Sequence, residues 1–137
     1  AVEIRARDMA AEATRLTALR DRLWEGVSAR VPEVRLNGHP TRRLPGTCNM
    51  SFHRVESESI VLGLDLKGVG VSAGSACTSG NVEPSYVLVA MGVPIPWAMG
   101  AVRCSLGRGT SAEDIDYVVD AVEPLVAKLR SASPARV

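Results

Sequence analysis

VGVSAGSACTSGNVEPSYVLVAM, residues 69–91, changes character twice. Val69 and Val71 alternate with glycine, as in a short strand. Residues 72–81 then hold nothing bulky: nine of the ten are small or turn-forming, and the tenth is Cys77. Pro84 suits the first turn of a helix, and Val87, Leu88, Ala90 and Met91 carry that helix to Gly92. Strand, small-residue loop and helix in direct succession predict an α/β chain with a thiol in its least anchored part.

The same alternation of elements extends in both directions. Upstream, Met9, Ala13, Leu16, Leu19, Leu23 and Val27 recur every three or four residues, which predicts one long helix over 3–30. Val34 and Leu36 predict a strand before an Asn37-Gly38 turn. In residues 48–55, Asn49, Ser51 and His53 alternate with Met50, Phe52 and Val55, predicting a second strand. Ile60, Val61, Leu64 and Leu66 predict a helix over 57–67 that ends at Gly68. Downstream, VPIPWAMG reads as a loop and residues 101–106 as a strand. Thr110 with Glu113 reads as a capping box opening a helix over about 111–131, which Pro124 should kink or divide. Residues 131–137 read as a fraying end. The expectation is four short strands and four helices in one α/β domain spanning 1–137, the helices packed on one main face of the sheet.

Composition narrows the function classes. Hydrophobic residues are 46% of the 137, enough for a sizeable core, and aromatics only 4%, so that core is aliphatic. A net charge of +1 with scattered basic residues argues against nucleic acid and against an anionic membrane surface. No apolar run approaches the roughly 18 residues of a membrane span. The chain opens on Ala1 inside a helical pattern, as expected of a domain excised from a longer protein. Three cysteines, an odd number, argue against a disulfide framework and for a reducing compartment. Their spacing fits no zinc pattern, and no metal site is expected. Cys48 and Cys104 fall in apolar-alternating runs and are expected to be buried and inert.

Two residues stand out chemically. Cys77 has mobile surroundings suited to a swinging thiol, but no Lys, Arg or His in its ten residues to lower its pKa. It is either a nucleophile activated from elsewhere or an incidental cysteine on a surface loop. Arg103 lies in the apolar strand AVRCSL, where a charge is costly unless paired. It either grips a carboxylate with its planar fork or points to water from an edge strand. His39 and His53 suggest no role, with His53 expected to face solvent. Trp97 reads as a packing anchor, and Lys67 and Lys128 as cations suited to helix C-termini.

Residues 69–91 closely resemble the catalytic-cysteine segment of class I cysteine desulfurases. RRLPGTCNMSF (42–52), AVRCSLGRGTSAEDID (101–116) and RLTALRDRLWEGV in the first helix resemble that family too, so the likeness covers almost the whole chain. It implies the C-terminal small domain of a fold-type-I, aspartate aminotransferase-like enzyme dependent on pyridoxal phosphate. The large domain that binds the cofactor is not in this chain. By resemblance, Cys77 is the nucleophile that takes sulfur from a cysteine–cofactor adduct, leaving alanine and an enzyme persulfide, and Arg103 binds the substrate carboxylate. The resemblance further implies a cytoplasmic homodimer in full-length form and delivery of sulfur to an acceptor such as an iron–sulfur scaffold protein. No residue here is expected to bind the cofactor: neither lysine follows a histidine as the cofactor-linking lysine does, so this chain by itself is expected to be inactive. Gly109 and Ala73 depart from the family's usual residues without touching these roles. Alternatives are a selenocysteine lyase or cysteine sulfinate desulfinase, and a free-standing, non-catalytic persulfide-relay module.

Overall fold

The computed structural model describes residues 2–73 and 83–132, with side chains from residue 8 onward. The elements are α1 (Val2–Arg30), β1 (Val34–Leu36), β2 (Thr47–Phe52), α2 (Ser57–Asp65), β3 (Ser72–Ala73), α3 (Tyr86–Ala90), α4 (Ile95–Ala98), β4 (Ala101–Ser105) and α5 (Ala112–Ala132). The strands form one antiparallel sheet in the order β1-β2-β4-β3. The last strand in sequence is therefore inserted between β2 and β3. The mixed α/β architecture expected from the alternation is present.

One face of the sheet carries the main core. Cys48, Met50 and Phe52 of β2 and Val102 and Cys104 of β4 meet Leu23 and Val27 of α1, Ile60 and Leu64 of α2, and Val119, Val122 and Val126 of α5. The alternation of β2 produces this, because period-two side chains put Cys48, Met50 and Phe52 on one side. The helices approach closely where they lack side chains: a Cβ on Gly26 would lie 2.8 Å from Val119 Cγ2, and one on Gly63 2.5 Å from Leu125 Cδ1. Two arginines tie loops to this layer. Arg15 of α1 donates to the carbonyls of Thr110 (2.7 Å), Gly107 (3.0 Å) and Arg108 (3.1 Å). Arg130 of α5 donates to those of Pro32 (2.8 Å), His53 (3.1 Å) and Glu33 (3.1 Å). Each gathers several carbonyls of the segments between elements onto one guanidinium.

The opposite face is partly roofed. Leu88 of α3, Val93, Ala98 of α4 and Ala101 of β4 form a second small core, with Trp97 against it. Trp97 is thus a packing anchor, as expected. Gly100 makes this approach possible: a Cβ there would sit 2.0 Å from the Phe52 carbonyl oxygen and 2.6 Å from that of Val55. These are backbone atoms that cannot swing aside. Gly100→Ala is expected to destabilise the chain by about 3 kcal/mol and to lower its melting temperature by roughly 10 °C in a thermal scan. An unchanged melting temperature would contradict the packing described here.

Several local expectations are corrected. The second strand ends at Phe52 rather than at 55: the His53 amide still bonds the Glu33 carbonyl in register (3.0 Å), but Glu33 at φ +51° and Arg54 at φ +62° leave the extended region there. The third strand begins at Ser72, not Val69: its partners in register are Arg103 for Ser72 and Val102 for Ala73, while Val69 and Val71 only pack against the core. Helix α3 starts at Tyr86, two residues after Pro84. VPIPWAMG contains a fifth helix, α4, whose proline occupies its first turn and so breaks no hydrogen bond. The capping box is Ser111 with Asp114, not Thr110 with Glu113. The Asp114 amide donates to Ser111 Oγ (3.1 Å), the Ser111 amide donates to Asp114 Oδ2 (2.9 Å), and Thr110 instead accepts from the Gly107 amide (3.0 Å). Pro124 does not divide α5. The carbonyl it leaves unbonded belongs to Asp120, and both residues are solvent-exposed, so water can take the bond.

Candidate functional site

The sheet face away from the main core carries a polar row. Asn49 of β2 is opposite Arg103 of β4, and Arg103 is opposite Ser72 of β3. Asn37, just past β1, extends the row on the other side, its amide donating to the Asn49 carbonyl (2.9 Å). The row thus reads Asn37, Asn49, Arg103, Ser72 straight across the sheet, and it contains no carboxylate. Arg103 is exposed, and no described residue accepts a hydrogen bond from its guanidinium or pairs with it. Its strand is central in the sheet rather than an edge.

Asn37 is buried, 4% exposed. Its side-chain Nδ2 donates to Asn49 Oδ1 (2.7 Å) and to Ser51 Oγ (2.7 Å). Its own Oδ1 is buried without a partner. Sequence alone made Asn37 a turn residue and Asn49 one polar position in an alternating strand. Nothing local pointed to their joining Arg103, because the strands that bring them together are not consecutive in sequence.

Cys77 lies outside the described residues. Ser72, which opens the segment leading to it, lies beside Arg103. Cys48 and Cys104 are buried and free, and they face each other across β2 and β4 on the core side. Burial pushes the Cys48 thiol up to about 11 and the Cys104 thiol up to about 12. Both stay neutral at physiological pH and are poor nucleophiles. Neither is expected to react with iodoacetamide at neutral pH until the chain unfolds, as peptide mapping would show. Because their folded pKa values exceed the ordinary value of 9.0, the unfolded chain loses these protons first. Their contribution to stability is full below pH 9 and is lost as pH rises through about 11 to 12. Denaturation titrations in that window should show stability falling with pH, and less steeply for Cys104→Ala.

His53 is not simply solvent-facing. Its ring stacks on Trp97 with centroids 4.9 Å apart, and its Nδ1 lies 3.1 Å from Glu33 Oε1. The hydrogen bonds from His53 and Arg54 hold the Glu33 carboxyl below its usual value. Arg35 stands 6.0 Å from the Trp97 centroid on this same side of the sheet. The cluster fastens the β2 end to α4 and presents no open chemistry.

The described residues do not fit pyridoxal phosphate. Lys67 and Lys128 are both exposed near helix ends, and the side chain of neither lines the cavity beside Val69 and Tyr117 or the one beside Leu16 and Arg108. The larger cavity, about 490 Å³, is lined by groups such as Val69, Val71, Thr110, Asp114 and Tyr117, with no Lys, Arg or His. Its one ionised group is an acid, which opposes a phosphate. Among the described residues no cluster of His, Cys, Asp or Glu is arranged to hold a metal ion, and no helix is long and apolar enough to cross a membrane.

Comparison with known proteins agrees with this architecture. The cysteine desulfurase IscS of Dictyoglomus turgidum is 48% identical over 134 residues, 98% of this chain and 34% of the relative. The cysteine desulfurase NifS of Azotobacter vinelandii is 49% identical over 123 residues, 90% of this chain and 31% of the relative. The chain therefore spans about a third of the length of the curated relatives it matches. The X-ray structure of a NifS-like protein from Rickettsia africae shares the fold, with a TM-score of 0.77 at 23% identity over 90% of this chain and 31% of that one. The family model described as aminotransferase class-V matches residues 3–118. With most of its length inside that model, its sheet and helices arranged as in a NifS-like protein, and its arginine strand at the centre of the sheet, the chain belongs to the aminotransferase class-V family.

Proposed function

We propose that this chain is the small domain of a cysteine desulfurase, in which Cys77 accepts sulfur from L-cysteine and Arg103 holds the substrate's carboxylate. The observation that carries the reading is Arg103: a guanidinium without a partner among the described residues, central in a polar row, beside the strand that leads to Cys77. The identity to relatives named cysteine desulfurase supports it. An amino acid held by its carboxylate at Arg103 lies within reach of the thiol. Five Cα–Cα steps lead from Ser72 to Cys77, a tether of at most about 18 Å.

The reaction balances within substrate and enzyme. The C–S bond of L-cysteine breaks, an S–S bond forms to Cys77 Sγ, and a proton takes the sulfur's place on the carbon, giving L-alanine. Carbon is reduced and sulfur oxidised by the same electron pair, so no external oxidant is needed. The thiolate is the attacking form, and its activation comes from outside the segment, since residues 72–81 hold no cation. The persulfide sulfur then passes to an acceptor, for which iron–sulfur cluster assembly is the proposed destination.

Pyridoxal phosphate, for which the described residues offer no site, belongs in this proposal to a large domain of the longer protein. That protein is proposed to be a cytoplasmic homodimer, and this chain by itself to be inactive. The test is alanine formation: full-length protein with cofactor, L-cysteine and reductant should release alanine and sulfide in equal amounts. Absence of alanine sinks the reading.

A further inference from the structure

Donor groups with no acceptor among the described residues define the unpartnered part of the polar row, and they extend beyond Arg103. We propose that Asn49 is a second donor to the same carboxylate, with its amide orientation set by the buried side chain of Asn37. This rests on the carboxylate role of Arg103.

The register brings the two donors together. The Leu106 amide donates to the Gly46 carbonyl (2.7 Å) and the Phe52 amide to that of Gly100 (3.0 Å), so the even-numbered positions of β2 face β4 in hydrogen-bonded pairs. Asn49 and Arg103, opposite each other between these, form a non-hydrogen-bonded pair. In such pairs side chains on one face come closest, with Cβ atoms about 4.5–5.5 Å apart.

The orientation of the Asn49 amide follows from Asn37. Both Nδ2 hydrogens of Asn37 are used, on Asn49 Oδ1 and Ser51 Oγ, each at 2.7 Å. Only its Oδ1 lacks a partner. Exchanging oxygen and nitrogen at Asn37 would orphan two buried N–H donors in place of one oxygen, a larger penalty. The backbone fixes Asn37 as well: its amide donates to the Asn49 carbonyl (2.9 Å), and its carbonyl accepts from Arg43. Asn49 therefore turns its oxygen toward β1 and its NH2 toward β4, where Arg103 stands. No described residue accepts from that NH2. A guanidinium and an amide NH2 side by side, with no acid in the row, form a donor-only site that calls for an anion. A carboxylate offers about four lone-pair positions, enough for both.

Sodium acetate, with acetamide as the uncharged control, tests this on the chain itself by NMR of the Asn49 Nδ2 and Arg103 Nε resonances. Acetate up to about 100 mM, an affinity range of only a kcal/mol or two, should shift both together, and acetamide should shift neither. Asn49→Ala should weaken acetate binding up to about tenfold, as for one hydrogen bond to a charged group. Asn37→Asp cannot donate to Asn49 Oδ1; it should turn that amide around and remove the Asn49 response while leaving both site residues in place. Asn49→Ala, at a half-buried surface position, carries the test if Asn37→Asp does not fold. Arg103 responding with Asn49 silent, and Asn49→Ala binding as tightly as the parent, overturns the role of Asn49 while leaving that of Arg103. Silence of both resonances overturns both roles, and equal shifts with acetamide overturn anion selectivity.

Discussion

Cys77→Ser in the full-length protein is expected to abolish alanine release from L-cysteine, by at least about a thousandfold, as for loss of a catalytic nucleophile. The reason is chemical rather than steric. Serine is nearly the size of cysteine, so packing is spared. Its hydroxyl does not ionise near neutral pH, and it cannot hold sulfur as a persulfide. Substrate binding should survive, so the variant should still bind L-cysteine with near-parental affinity while turnover disappears. Cys48 and Cys104 provide the internal control. Both thiols are buried and shifted far up, so neither can substitute for Cys77. Full alanine release by the Ser variant would remove Cys77 from the mechanism.

Arg103→Ala carries the second large effect. Two charge-assisted hydrogen bonds from a guanidinium to a carboxylate contribute about 3–5 kcal/mol together. Their loss should raise KM for L-cysteine by roughly a hundredfold or more. The carboxylate does not change charge as sulfur leaves, so the contact is equal in ground and transition states, and kcat should stay nearly constant. An amine substrate without a carboxylate should lose nothing. The fold should tolerate the change, since Arg103 is exposed and no described partner is orphaned. A variant with unchanged KM would return Arg103 to a surface residue.

The elements themselves were largely legible. Helix α1 and strand β2 follow directly from periods of 3.6 and 2, because each buries one face and a local pattern records which one. The burial of Cys48 and Cys104 follows from the same alternation. Failures came where a local signal had two physical solutions. Thr110 and Ser111 are both capping residues, and only the position of α5 against Arg15 and the 107–110 turn selects Ser111. Two prolines made VPIPWAMG look irregular, but one of them fits the first turn of α4. Val69 and Val71 have the strand pattern, yet the hydrogen-bonding edge of β4 is met only from Ser72 onward.

The candidate site divides in the same way. Residues 69–91 by themselves mark a thiol that nothing local buries or activates, and AVRCSL marks a charge that its strand cannot satisfy. Sequence by itself thus determined the α/β class, the core-facing residues, the inert pair of cysteines and the two residues worth suspecting. Each depends on neighbours a few positions away, where backbone periodicity controls direction. Only the tertiary structure decided that β4 lies between β2 and β3, and hence that Asn37, Asn49, Arg103 and Ser72 share one row. Strand order and register are set by which faces can be buried together across segments as far apart as residues 49 and 103, and no single segment's pattern carries that information.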